Sequence, residues 1–152
     1  MNEVTNKYMK GIQDILLSAG NYGCLALDYA YIVEACSKEF NPEVFASKVQ
    51  LFLDILDAQN NDLLEEDFFV KDAQKYMQYL DPSKQYSVFK KDITSMIDLK
   101  GTMGCVRFDY NGHSHWVVYA DGQIVFDPLA NSQCRLKGKP TTARVVEIKE
   151  LK

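Results

Sequence analysis

One stretch of the sequence decides the fold, NYGCLALDYA at residues 21–30. Gly23 precedes Cys24, and Cys24 begins an apolar run that predicts a helix from about Cys24 to Lys38. Apolar residues surround this helix so fully that we expect it to be central, with Asp28 on its narrow polar side. A thiol at a helix N-terminus lies beside unpaired backbone N–H groups and the positive end of the helix dipole. Both favour the thiolate, which is the nucleophilic form of cysteine, and Cys24 is therefore the first candidate functional residue.

Helical patterns also fill the rest of the first two-thirds of the chain. Asn41-Pro42-Glu43 supplies an N-cap residue, a proline for the first helical position and an acid for the first turn. The helix that begins there is predicted to continue through Leu56. Further helices are predicted over roughly residues 5–18, 64–80 and 88–97.

After Gly101 the pattern changes from helical spacing to alternation. Strands are predicted over residues 103–110, 115–120, 123–127 and 144–151, and Asn111-Gly112 and Asp121-Gly122 are strong signals for tight hairpin turns. Helices followed by an antiparallel meander define an α+β domain. The length of 152 residues fits one domain that spans residues 1–152.

The composition excludes several classes of function. A net charge of −4 argues against a general nucleic-acid or anionic-membrane binder, and we expect neither partner. The polar N-terminus lacks signal-peptide architecture, and no apolar run approaches the ~20 residues that span a bilayer, which predicts a cytoplasmic protein. The four cysteines form no CxxC pair, so in a reducing compartment we expect free thiols.

His115 begins one strand of a predicted hairpin, and Asp127 ends the next strand. Counting outward from the two-residue turn places His115 opposite Pro128. Asp127 is then one step away and comes within reach of His115 if a bulge or twist turns its side chain. A carboxylate beside an imidazole fixes its tautomer and stabilises its charged form. A central helix whose first residue is Cys24 would complete a Cys–His–Asp arrangement at this end of the sheet.

Each of these residues also has an ordinary structural interpretation. A cysteine at the start of an apolar helix is commonly a buried core thiol, and an Asp-Pro pair after a strand is commonly part of a turn. A lone histidine before an aliphatic strand is also usually structural. The joint order of a Gly-Cys helix start, His-Trp-Val-Val, Asp-Gly and Asp-Pro is much harder to obtain by accident, and it favours the functional interpretation.

The stretch Gly23-Cys24-Leu25-Ala26-Leu27, followed by a helix and Asn41-Pro42-Glu43, resembles the nucleophile region of papain-like cysteine peptidases. It is most similar to the bacteriocin-leader-processing (double-glycine) peptidases and their relatives. In those families a Gly-His-x-His-Trp-Val-Val-like strand carries the base, and an Asp-Pro after the next strand carries the orienting acid. Here the matching segments are His115-Trp116-Val117-Val118 and Asp127-Pro128.

The resemblance implies a papain-like fold, in which N-terminal helices pack on a C-terminal antiparallel sheet and the nucleophile begins a central helix. It implies hydrolysis of an amide bond of a peptide or protein substrate without a cofactor. Cys24 would attack the carbonyl, His115 would move the proton and Asp127 would orient His115. Ser18 stands where the relatives carry a glutamine six residues before the nucleophile, so we assign Asn21, with backbone N–H groups, to the oxyanion hole.

Several alternatives accompany this interpretation. Tyr22 and His113 are candidates for lining the cleft. His113 and His115 also alternate on one strand, so that a metal site with Cys24 as third ligand is an alternative, but no further cluster supplies a fourth ligand and we predict no metal. An inactive interaction domain with this fold is a second function. A Cys-dependent acyltransferase or an enzyme that removes a peptide-like modifier is a third.

Overall fold

The computed structural model describes residues 23–36, 44–128 and 133–151. Within them lie four α-helices and a five-stranded antiparallel sheet, which confirms the α+β class. The predicted helix at residues 5–18 and the Asn41-Pro42-Glu43 cap lie outside the described residues. In chain order the elements are α1 (Cys24–Ala35), α2 (Val44–Asn60), α3 (Ala73–Leu80), β1 (Lys84–Asp92), a 3₁₀ turn (Met96–Leu99), β2 (Met103–Tyr110), β3 (His113–Ala120), β4 (Gln123–Phe126), α4 (Gln133–Lys137) and β5 (Lys139–Glu150).

Helix α1 is central, as its sequence predicts. It packs against β3 and β2 on one side and against α2 and α3 on the other. Burial extends around most of the helix and includes Ala26, Leu27, Asp28, Tyr29, Ala30, Ile32 and Val33. The prediction that Asp28 marks a polar side is therefore wrong, because α3 and the sheet cover that side as well.

The strands are ordered β1-β5-β2-β3-β4 in the sheet. The predicted tight turns are both present: Asn111 and Gly112 have φ values of 49° and 78°, and Asp121 and Gly122 have values of 53° and 76°. Two successive residues with positive φ give the turn twist that matches two antiparallel strands, which is why Asn-Gly and Asp-Gly occupy these sites. These turns fix the β2–β3–β4 meander.

The predicted helix at residues 88–97 is wrong. Lys84–Asp92 is the edge strand β1, and a 3₁₀ turn follows at Met96–Leu99. β1 pairs with β5 along its whole length, from Lys84 opposite Glu150 to Asp92 opposite Thr142. Pairing with a distant strand therefore decides the conformation of a segment whose local apolar spacing also fits a helix. β5 in turn begins at Lys139, earlier than the predicted Arg144.

The helix predicted over residues 64–80 forms only at Ala73–Leu80. The side chain of Asp72 accepts hydrogen bonds from the backbone N–H groups of Gln74 and Lys75, and this N-cap sets the helix start. Phe68, before it, has a φ of 68°, which a right-handed helix does not accept. The N-terminal half of the predicted helix is therefore a loop.

The sheet has an apolar cluster on each face. The larger cluster lies between the sheet and α1–α3, and Trp116 and Val118 of β3 face it. The smaller cluster covers the opposite face, where Val117 and Tyr119 pack with Phe108, Leu99 and Cys134 of α4. Because side chains alternate along a strand, His115 lies on this second face. No helix in the described part of the chain combines the length and apolar character needed to cross a membrane.

Candidate active site

A bulge in the β3–β4 hairpin shapes the candidate site. Tyr119 pairs with Ile124, but the next pair is Val118 with Phe126, so the register shifts by one residue between Val118 and Tyr119. Val125 is the extra residue, and β4 bends there. Everything that follows Val125 in the chain is turned to the opposite face of the sheet from the one that an unbulged hairpin would give it.

The bulge places Asp127 on the same face as His115. Without the bulge, Asp127 would pair opposite Trp116 and its side chain would leave the sheet on the other side. In the structure, Nε2 of His115 lies 2.6 Å from Oδ1 of Asp127. The sequence makes this contact conditional on a bulge or twist, and the structure contains the bulge.

The His115–Asp127 pair is shielded from water. The two side chains are only 4% and 6% exposed, so little solvent weakens the bond between them. When Nε2 donates its proton to the carboxylate, Nδ1 carries the lone pair and becomes the basic nitrogen of the ring. This pair can therefore accept a proton at Nδ1 from a neighbouring group.

Arg135 is a member of the site that the sequence did not reveal. Its Nε lies 2.6 Å from Oδ2 of Asp127, so the carboxylate lies between a guanidinium and an imidazole. Arg135 comes from α4, which packs over β2 and β3. In the sequence it belongs to a loose basic group that continues to Lys139, which is typical of a solvated surface. No local pattern separates it from those neighbours.

Cys24 lies at the same end of β3. Its sulfur is close enough to Trp116 for the backbone N–H of Trp116 to lower the thiol pKa by hydrogen bonding. That N–H is available because the β3–β4 ladder ends at Val118. Trp116 follows His115 directly, so the thiol lies beside the peptide unit that carries the imidazole. The described residues show no hydrogen bond between the thiol and the ring.

Cys24 is a neutral thiol in this structure. Burial raises its pKa to about 12, and any negative charge on Asp28 acts in the same direction, although backbone N–H groups of Trp116, Leu25 and Cys24 itself act in the opposite direction. Its exposed fraction is 8%. The prediction that the helix start makes Cys24 a thiolate is therefore wrong, because removal from water disfavours the charged form more than the helix N-terminus favours it.

Asp28 lies one helical turn after Cys24 and is fully buried. Neither of its carboxyl oxygens has a hydrogen-bond partner among the described residues. Burial, together with the charge of Asp127, raises its pKa well above the usual range of an aspartate. Asp28 is therefore a neutral acid next to the thiol.

Of the other residues considered at the sequence level, one lies within the described part of the chain and the rest lie outside it. His113 is exposed at the first position of β3, on the same face as His115. Asn21, Tyr22 and Ser18 lie outside the described residues. No group of three or more histidine, cysteine or acidic side chains in the described ranges is arranged to hold a metal ion.

Stacking of Tyr31 on Phe126 joins α1 to the end of β4. The ring centroids lie 4.4 Å apart and the planes differ by 8°. Phe126 immediately precedes Asp127, so this contact holds the helix that carries Cys24 against the strand end that carries the acid.

Comparison with known proteins gives no relative, since no family model, curated protein or solved structure matches the chain. The chemistry of the site must therefore be inferred from its geometry and from the sequence motifs.

Proposed function

We propose that the chain is a papain-like cysteine peptidase that hydrolyses an amide bond of a peptide or protein substrate. The observation that carries the proposal is the 2.6 Å contact between Nε2 of His115 and Oδ1 of Asp127, which needs the Val125 bulge and lies at the strand end that Cys24 reaches. A purely structural hairpin needs no buried imidazole–carboxylate pair at this place. The pair instead provides a base with a defined basic nitrogen, one residue before the Trp116 N–H that the Cys24 thiol contacts.

The reaction follows from this arrangement. The thiol proton of Cys24 moves to Nδ1 of His115 as the sulfur forms a bond to the substrate carbonyl carbon, and the carbonyl electron pair moves onto oxygen. Collapse of this intermediate breaks the C–N bond, and the leaving amine takes the proton from His115. Water, deprotonated by His115, then hydrolyses the thioester and returns Cys24 to the thiol. Backbone N–H groups at the start of α1 and Asn21 are the proposed donors to the oxyanion.

The raised pKa of Cys24 determines how the nucleophile forms. A neutral thiol requires proton transfer during the attack, and we assign this transfer to His115, the residue before the Trp116 N–H that the Cys24 thiol contacts. Removal of a general base typically costs about 10²–10⁴ in rate. Reactivity of Cys24 should therefore depend strongly on His115.

Alkylation by iodoacetamide, followed by mass spectrometry of each cysteine peptide, tests this dependence. We expect His115→Ala to slow the alkylation of Cys24 by about a hundredfold, as loss of the base predicts. Cys36, which is half-buried at the end of α1, should react at an unchanged rate and provides the internal control. Cleavage of a peptide library by wild type, and its loss in Cys24→Ala, tests the hydrolytic step.

One observation favours a second function, an interaction domain that retains this fold without catalysis. Cys24 is buried, its pKa is raised to about 12, and no hydrogen bond joins it to His115 within the described residues. These are also properties of an inert core thiol. Equal alkylation rates of Cys24 in wild type and His115→Ala would refute the peptidase and support the interaction domain.

A further inference from the structure

We propose that Arg135 is a positioning residue, which holds Asp127 as a carboxylate and thereby fixes the tautomer of His115. This inference extends the proposed function to a residue outside the Cys–His–Asp motif. The Nε of Arg135 and the Nε2 of His115 occupy different oxygens of Asp127, each at 2.6 Å.

Two buried acids in the same region show why a cation is needed. Asp28 and Asp127 both lie out of water, and the charge of Asp127 acts on Asp28. Asp28 has no hydrogen-bond partner among the described residues, and burial keeps it protonated. Asp127 differs because a guanidinium contacts one of its oxygens. A buried carboxyl stays ionised when a cation and hydrogen bonds replace the lost water.

The charge of Asp127 decides which nitrogen of His115 is the base. A carboxylate can only accept hydrogen bonds, so Nε2 must carry the proton and Nδ1 the lone pair. A protonated carboxyl would instead donate to Nε2, and the ring proton would then lie on Nδ1. His115 would present a donor, where the proposed reaction needs an acceptor. Arg135 selects the first of these two states.

Helix α4 holds Arg135 in place against the sheet. Cys134 packs into the apolar cluster on the face of β2 and β3 that carries His115. Gly138 ends the helix with its N–H bonded to the Cys134 carbonyl at 2.9 Å, and its Cα lies so close to the Asp109 carbonyl that a side chain there would collide with it. The guanidinium itself is only 23% exposed, so the ion pair is partly removed from the screening of water.

Nitrogen-15 NMR of the His115 ring tests this role without depending on catalysis. Wild type should show a protonated Nε2 and an unprotonated Nδ1 at neutral pH, with an Nε2 proton far downfield. Arg135→Gln should shift the ring towards the tautomer protonated at Nδ1, and Arg135→Lys should retain the wild-type signature in part. Lys137→Gln is the matched control, since it removes one positive charge from an exposed position on the same helix.

The alkylation of Cys24 gives the second measurement. We expect Arg135→Gln to slow it by on the order of tenfold to a hundredfold, the loss that a misplaced catalytic group produces, and Lys137→Gln to leave it unchanged. An Arg135→Gln ring with the wild-type tautomer would overturn the proposed role of Arg135. If the tautomer changes but Cys24 alkylation never depended on His115, the role of Arg135 stands and the peptidase proposal fails.

Discussion

Replacement of Asp28 by asparagine should stabilise the fold relative to wild type, and this difference should grow as the pH rises. Asp28 is fully buried without a hydrogen-bond partner in the described ranges, and its pKa is raised well above the usual range. An aspartate in an unfolded chain has a pKa of about 3.9. Above this pH the unfolded chain loses the proton while the folded protein keeps it. Each further pH unit therefore favours the unfolded state by about 1.4 kcal/mol, until Asp28 itself ionises in the folded protein.

The magnitude is large compared with the stability of a typical domain. Over the pH interval in which the unfolded chain is ionised and folded Asp28 keeps its proton, the wild type should lose about 1.4 kcal/mol per pH unit through Asp28 alone, out of the roughly 5–15 kcal/mol that stabilises most domains. Asparagine has nearly the shape of the protonated carboxyl and does not ionise. The difference in unfolding free energy between Asp28→Asn and wild type should therefore grow by about 1.4 kcal/mol for each pH unit in this interval.

Urea unfolding at pH 5, 6 and 7 measures this difference, and the fluorescence of Trp116, the one tryptophan of the sequence, reports the transition. Asp98→Asn is the matched control. Hydrogen bonds from the backbone N–H groups of Thr94 and Ser95 lower the pKa of Asp98, so this acid is ionised in both states between pH 5 and 7. Its difference from wild type should not change with pH. A constant difference for Asp28→Asn as well would refute the reasoning, because Asp28 would then be charged in the folded protein.

Two further substitutions and one deletion test the fold and the hairpin. Gly104→Ala should destabilise the protein by about 3 kcal/mol in urea unfolding, because a Cβ would overlap the backbone carbonyl of Arg144 on β5. Tyr76→Phe should cost about 0.5–1.5 kcal/mol, since it removes the 2.8 Å hydrogen bond that the buried Tyr76 hydroxyl donates to the Ala26 carbonyl; wild-type stability would show that this bond makes no net contribution. Deletion of Val125 should leave a folded protein in which the side chain of Asp127 leaves the sheet on the face opposite His115. The NMR signal of the downfield Nε2 proton of His115 should then disappear.

The sequence predicts best where local chemistry decides the structure. Asn111-Gly112 and Asp121-Gly122 form the expected turns because few other residues accept positive φ at two successive positions. The three strands that these turns connect follow with small errors at their ends. Helix α1 is also recovered, since its continuous apolar surface leaves only a central position in the domain.

The errors arise where distant parts of the chain decide. The apolar spacing of residues 88–97 predicts a helix that overlaps the second half of β1, and only pairing with β5, far along the chain, makes this segment a strand. Asp28 looks like a solvated residue until α3 and the sheet are packed around its helix. Arg135 meets Asp127 only because α4 folds back over the sheet. None of these contacts has a signal within a short window of sequence.

The charges of the site agree with the proposed reaction, in which the nucleophile forms only as the sulfur attacks. Asp28 is neutral, so it adds no negative charge beside Cys24, and Arg135 balances the charge of Asp127. The thiol keeps its proton because a buried thiolate would lack water, and the N–H groups of Trp116 and Leu25 offset this only in part. In the proposed reaction, the substrate carbonyl accepts the negative charge as soon as the sulfur attacks, so a free thiolate never has to persist in the buried site. Ionised Asp28 would oppose the build-up of negative charge on the sulfur, so a neutral Asp28 favours the proposed attack by Cys24.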